Sequence, residues 1–91
     1  MHDRTALPDA DTRVLLQQIA ARLLAERPAH PMREGTRTAL ALTFATRRHG
    51  HGTDRAARAE ELLLAFAPAV EAGLTRQQYA QQLHDAAGGA R

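Results

Sequence analysis

Apolar side chains recur along this chain at helical spacing, in four stretches separated by proline, glycine and polar residues. In the first, Leu15, Leu16, Ile19, Ala20, Leu23 and Leu24 form one broad stripe, with Gln18, Arg22 and Glu26 away from it. Asp9 or Asp11 can cap its start, because a carboxylate accepts the unpaired N–H groups of a first turn. Arg27-Pro28 ends it, since proline disfavours helical backbone in the residue before it. The pattern predicts a helix over 10–27.

The second stretch is two-faced. Leu40 and Phe44 share a face, while Leu42 points almost opposite with Ala45. Leu40, Leu42 and Phe44 also alternate as in a strand, and Thr36, Thr38, Thr43 and Thr46 favour one. Against a strand stand Ala39, Ala41 and Ala45, and the lack of any second strand to pair with. Pro31 suits a first helical turn. Arg47, Arg48 and His49 followed by Gly50 form a helix ending, with cations at the negative terminus and glycine for the left-handed turn. A helix over 32–49, touching neighbours on both flanks, follows.

The third stretch has the clearest amphipathic pattern. Ala56, Ala59, Leu62, Leu63, Phe66, Ala67 and Val70 occupy one arc, and Leu64 falls outside it, where exposure is expected. Its helix is placed at 54–72, with a kink or restart at Pro68 and a stop at Gly73. The fourth opens with Thr75-Arg76-Gln77-Gln78, the spacing of a capping box, and Tyr79, Ala80 and Leu83 give it an apolar face over 75–87. No internal repeat relates the four. The fold class expected is all-α, a small four-helix bundle forming one domain over 9–87 between a flexible arm, 1–8, and a flexible tail, 88–91. Its core is expected to bury Leu16, Ile19, Leu23, Leu40, Phe44, Leu62, Phe66 and Leu83.

Composition makes that core thin. Of 91 residues, 20 are alanine and only 17 are Leu, Ile, Val or Phe. Such a chain has little apolar surface to set against backbone entropy, so part of its stability is expected to come from self-association or a partner. Charge adds less than the pI of about 10.4 suggests. All 12 cations are Arg, so a net charge of only +2 persists to high pH. The middle third, 30–58, concentrates the excess: Arg33, Arg37, Arg47, Arg48, Arg55 and Arg58 against Glu34 and Asp54. An acidic partner or phosphates could meet such a face, although Arg must also serve as the ordinary surface cation here.

Absent residues exclude much chemistry. The chain has no Cys, Ser, Lys, Asn or Trp, hence no thiol or serine nucleophile, no Schiff-base lysine and no phosphate-loop lysine. An acyl carrier protein needs a serine for its prosthetic arm, and a helical chorismate mutase clamps its substrate with Arg and Lys; neither pattern is present. Glu60 and Glu61 point about 100° apart on a helix and form no facing carboxylate pair. His49 and His51 have ligand-like spacing, with Asp54 or His30 as possible third ligands, but a helix-end cation and a solvated loop residue account for them more simply. No metal or cofactor is expected, and catalysis is not favoured. The N-terminus lacks the apolar core of a signal peptide and no apolar run approaches 18 residues, so a cytoplasmic protein outside the membrane is expected.

Ala69, Gly73, Leu74 and Tyr79 stand at the small, glycine, apolar and large apolar positions of a helix-turn-helix core, which the segment 69–84 resembles. That resemblance would place Thr75, Arg76, Gln77 and Gln81 on a recognition helix, where Arg and Gln bond base edges. Pro68 inside the first helix and Gln82 at an apolar position depart from the pattern. The leading expectation is a non-catalytic helical module that binds protein, itself or a partner, through Leu42 and Leu64 with Arg33, Arg37, Arg47 and Arg48. A small DNA-binding regulator using 69–84 is the alternative, and an accessory subunit of an enzyme the weaker one.

Overall fold

The computed structural model describes residues 7–88 and consists of four α-helices. Helix α1 spans Ala10–Ala25, α2 Glu34–His49, α3 Asp54–Phe66 and α4 Arg76–Ala86. Apart from residues 7, 8 and 88, the expected flexible arm and tail lie outside the described residues. Pro8 is buried, and Leu7 lies beside Gly88 at the far end of α4.

Helix starts follow the caps written in the sequence. Asp9 accepts from the Thr12 amide at 3.0 Å, and Thr53 accepts from the Ala56 amide at 3.0 Å. Thr75 and Gln78 complete the capping box in both directions, at 3.2 and 2.9 Å. Gly50 ends α2 with a φ of 96°, as its position after Arg47-Arg48-His49 requires.

Besides α1 ending at Ala25 rather than 27, with Arg27 at a φ of 51°, two boundaries differ from the periodicity. The pattern puts Pro31 in the first turn of the second helix, yet α2 begins at Glu34, because residues 28–30 form a turn and Pro31 and Met32 pair with another loop. Met32 donates to Leu74 O at 2.8 Å, and Pro31 and Thr75 form an isolated antiparallel bridge. The same linker supplies His30 O and Pro28 O to the amides of Arg76 and Gln77, at 2.8 and 2.9 Å. These carbonyls satisfy N–H groups that a first turn leaves open. The second difference is the end of α3. The pattern carried it to 72, but Pro68 stops it at Phe66, and no helical restart follows before Gly73.

Helix α1 packs most extensively on α4, and α2 on α3, with α1 also touching α2 and α3. The molecule measures 35 × 34 × 20 Å, its least dimension matching about two layers of helices. Leu15, Leu16, Ile19 and Leu23 of α1 meet Phe44, Leu63, Tyr79 and Leu83 from the other helices in one cluster. Among the described residues seven of the sixteen buried apolar ones are alanine, which lets the helix backbones approach closely. Met32, in no periodic stretch, is also buried and fills part of this core.

Of the expected core, Leu16, Ile19, Leu23, Phe44 and Leu83 are buried. Leu40 and Phe66 are half-buried against it, and Leu62 is half-buried at a surface groove. Leu63, its neighbour, is the fully buried residue of α3. Leu64, expected to be exposed, is half-buried against the same cluster. The α3 arc is thus turned by about one residue, so that Leu63 and Leu64 face inward and Leu62 turns to the edge. Leu24, counted with the inward stripe of α1, is 55% exposed.

Candidate functional site

The arginines of the middle third do not form one patch. Arg33 is exposed at the start of α2, and Arg37 turns inward. The Arg37 guanidinium donates to Leu64 O at 2.7 Å and Ala67 O at 3.1 Å, and to the Glu34 carboxylate at 2.6 Å. It therefore caps the last turn of α3, a cation on carbonyls left open by Pro68. Tyr79 donates to Pro68 O at 2.5 Å in the same corner, and burial pushes its hydroxyl pKa up.

At the opposite end of α2, Arg47 lies over the Phe44 ring, 5.5 Å from its centroid, and Arg22 of α1 lies 5.6 Å from the same centroid. Arg48 and His49 both hold Asp11 at the start of α1. His49 Nε2 lies 2.9 Å from one carboxylate oxygen, and the Arg48 guanidinium donates to the other. Burial alone would raise the Asp11 carboxyl; the hydrogen bonds from His49 and Arg48 and their positive charge outweigh it, and the group sits below its ordinary range. His49 is thus an interhelix contact and His51 an exposed turn residue. Among the described residues no three His, Asp or Glu converge as a metal site.

That contact has a testable pH dependence. A carboxyl depressed in the folded state contributes stability above its unfolded pKa, near pH 4, and loses it as pH falls through the folded value. Hydrogen bonds from Thr12 depress Asp9 in the same direction. The Tm is therefore expected to drop steeply once pH falls below about 4. Asp11→Asn should lower the Tm at pH 7 and flatten that drop, the two curves approaching each other as pH falls through the folded value. Parallel curves for the two would remove Asp11 from the account.

The helix-turn-helix arrangement is not formed. Residues 67–71 are not helical, so no helix leads into the turn at Gly73, and α4 packs on α1 rather than on α3. Thr75 is consumed as the cap, and Arg76 donates to Glu26 O at 3.3 Å. The first amides of α4, which in a recognition helix are free to meet phosphate, are taken up by Pro28 O and His30 O. Gln77 and Gln81 are exposed on a different feature, the groove between α1 and α4.

That groove has a volume of about 310 Å³. Ala20 and Ala80 form its buried floor, Gln17, Ala21 and Leu24 its α1 wall, and Gln77, Gln81 and His84 its α4 wall. A second groove, about 230 Å³, lies between α2 and α3, where Leu42 is 48% exposed beside Ala56, Ala57 and Glu60. The exposed large apolar side chains among the described residues are Leu7, Val14, Leu24 and Leu42. Sequence periodicity singled out Leu42 among these and missed the other three. Among the described residues no helix is long and apolar enough to cross a membrane.

Comparison with protein-family models, curated proteins and solved structures finds no match to this chain.

Proposed function

We propose that this protein is a non-catalytic helical interaction module, which acts by burying apolar side chains against another protein chain. The observation that carries this is the exposure of Leu24, Leu42 and Val14 on folded helices, in a chain with few large apolar residues to spare. In a monomer these three remain in water, whereas their burial would contribute about 1.5–3 kcal/mol per fully buried side chain. Both grooves offer alanine floors into which a neighbouring side chain can fit. The Arg cluster supports a phosphate-binding role poorly, because Arg37, Arg47 and Arg48 are engaged within the fold.

Sedimentation equilibrium at rising concentration, alone and with cell extract followed by copurification, tests the reading. A species heavier than the 9.9 kDa chain, or a stoichiometric protein partner, is expected. A monomer at about 100 μM that copurifies with nothing, yet binds random duplex DNA with a steep salt dependence, would overturn it in favour of a nucleic-acid function.

A further inference from the structure

Along the outer side of α1, Val14, Gln17, Ala21 and Leu24 are all exposed and follow a 3-4-3 spacing. This is the spacing of a helix seam that packs against another helix, yet within this chain only one flank of it is covered, by α4. From these residues we infer that the α1–α4 face is a two-fold contact between two copies of this chain, with the two α1 helices antiparallel across it. The inference rests on the interaction-module reading and names its partner.

Three features favour a second copy over a different protein. The first is charge. A two-fold contact places the same residues of both copies near one axis, so charged faces repel themselves. No Arg, Asp or Glu lines the α1–α4 groove, whereas the Leu42 groove includes Glu60. The second is hydrogen bonding. Gln17, Gln77 and Gln81 line the groove, and an amide, carrying both donors and acceptors, can pair with its own copy.

The third is the seam itself, which is symmetric about its midpoint. An antiparallel pairing sets Val14 of one copy against Leu24 of the other, and Gln17 against Ala21. Large apolar side chains then meet at both ends, and the small Ala21 leaves room for Gln17 at the centre. Ala20 and Ala80 beneath the groove, beside Ala21 and Leu24, let Gln17 and Val14 of the other copy approach closely.

Sedimentation equilibrium and light scattering on the full chain test this. The wild type is expected at twice the 9.9 kDa chain mass. Leu24→Glu and Ala21→Arg should each weaken association at least about 10-fold, since each buries an unpaired charge, with the helical circular dichroism retained. Leu42→Glu should leave the mass unchanged. Ala21→Arg mixed with Gln17→Glu should form a heterodimer more tightly than either variant pairs with itself, because the antiparallel register sets the introduced guanidinium against the introduced carboxylate. Heterodimer formation also keeps the test decisive should either variant be less stable alone.

A dimer that survives Leu24→Glu and Ala21→Arg but is lost in Leu42→Glu would overturn this face and leave the module reading standing. A wild-type monomer at about 100 μM with a stoichiometric foreign partner would overturn the second copy as occupant and keep the module. A monomer with no partner would overturn both.

Discussion

Leu63→Ala is expected to destabilise the protein by about 2–5 kcal/mol, and Leu62→Ala by under about 1 kcal/mol. The two side chains are chemically identical and adjacent, so the difference measures the rotation of α3. Leu63 is fully buried in the central cluster, and its removal deletes an isobutyl group from a core whose other members include six small alanines. Alanine cannot swing into a void, so little of the cavity closes, and the cost approaches the upper part of the range. Leu62 lies at a groove edge near Asp9 and Asp11, where solvent replaces the lost methyl groups. A domain of this size has a total stability of about 5–15 kcal/mol, so Leu63→Ala should leave a visible unfolded fraction in urea well before the wild type begins to melt. Equal losses at the two positions, or a larger one at Leu62, would show that α3 presents the face its periodicity first suggests.

That one-residue rotation shows where the sequence is informative and where it stops. The all-α class and the existence of four helices were legible, because caps and periodicity are local. Asp9, Thr53 and the Thr75–Gln78 box each act within four residues, and Gly50 ends α2 through its own backbone. The failures all involve a partner distant in sequence. Pro68 read as a kink because nothing nearby could satisfy the carbonyls it frees; the group that does so, Arg37, is 27 residues from Leu64 and 30 from Ala67. Pro31 read as a first-turn residue because its bridge to Thr75 has no local signature. Leu64 reads as exposed for the same reason, since the periodicity of α3 carries no sign of which flank α2 covers.

The candidate surface was legible only in part. Leu42 was found by its position opposite Phe44. Leu24 was absorbed into the inward stripe of α1, a face too broad for one neighbouring helix pair to cover. The signal was present in Val14, Gln17, Ala21 and Leu24, whose 3-4-3 spacing makes a second seam on a helix already assigned one. Arg33, Arg37, Arg47 and Arg48 share a residue type and little else: Arg33 is exposed at the start of α2, Arg37 turns inward and caps α3, and Arg47 and Arg48, both exposed, lie on Phe44 and on Asp11. Residue identity predicts charge, and only the fold assigns each charge its partner.

Arg37→Met is expected to cost about 2–4 kcal/mol, far more than the same change at the exposed Arg33 one turn earlier, which should cost under about 0.5 kcal/mol. Methionine preserves the apolar stem and removes the guanidinium, so the effect isolates its hydrogen bonds. Their loss leaves Leu64 O and Ala67 O without this donor, at the end of a helix that proline has already deprived of a continuing turn. The buried Arg37 Nε has no hydrogen-bond partner among the described residues, which offsets part of the gain and keeps the figure below that of three ideal charged hydrogen bonds. Arg37→Lys should recover little, because one ammonium cannot reproduce a planar fork that spans two carbonyls and the Glu34 carboxylate. Tyr79→Phe removes the neighbouring bond to Pro68 O and should cost about 1 kcal/mol. Both residues fasten residues 64–68 to the rest of the fold, so once one is gone the segment loosens and the other has less to hold. The double variant should then lose less than the sum of the single losses, by about 0.5–1 kcal/mol in urea denaturation. Additive losses would mean that the two side chains act on independent parts of the structure, and a neutral Arg37→Met would remove the capping role altogether.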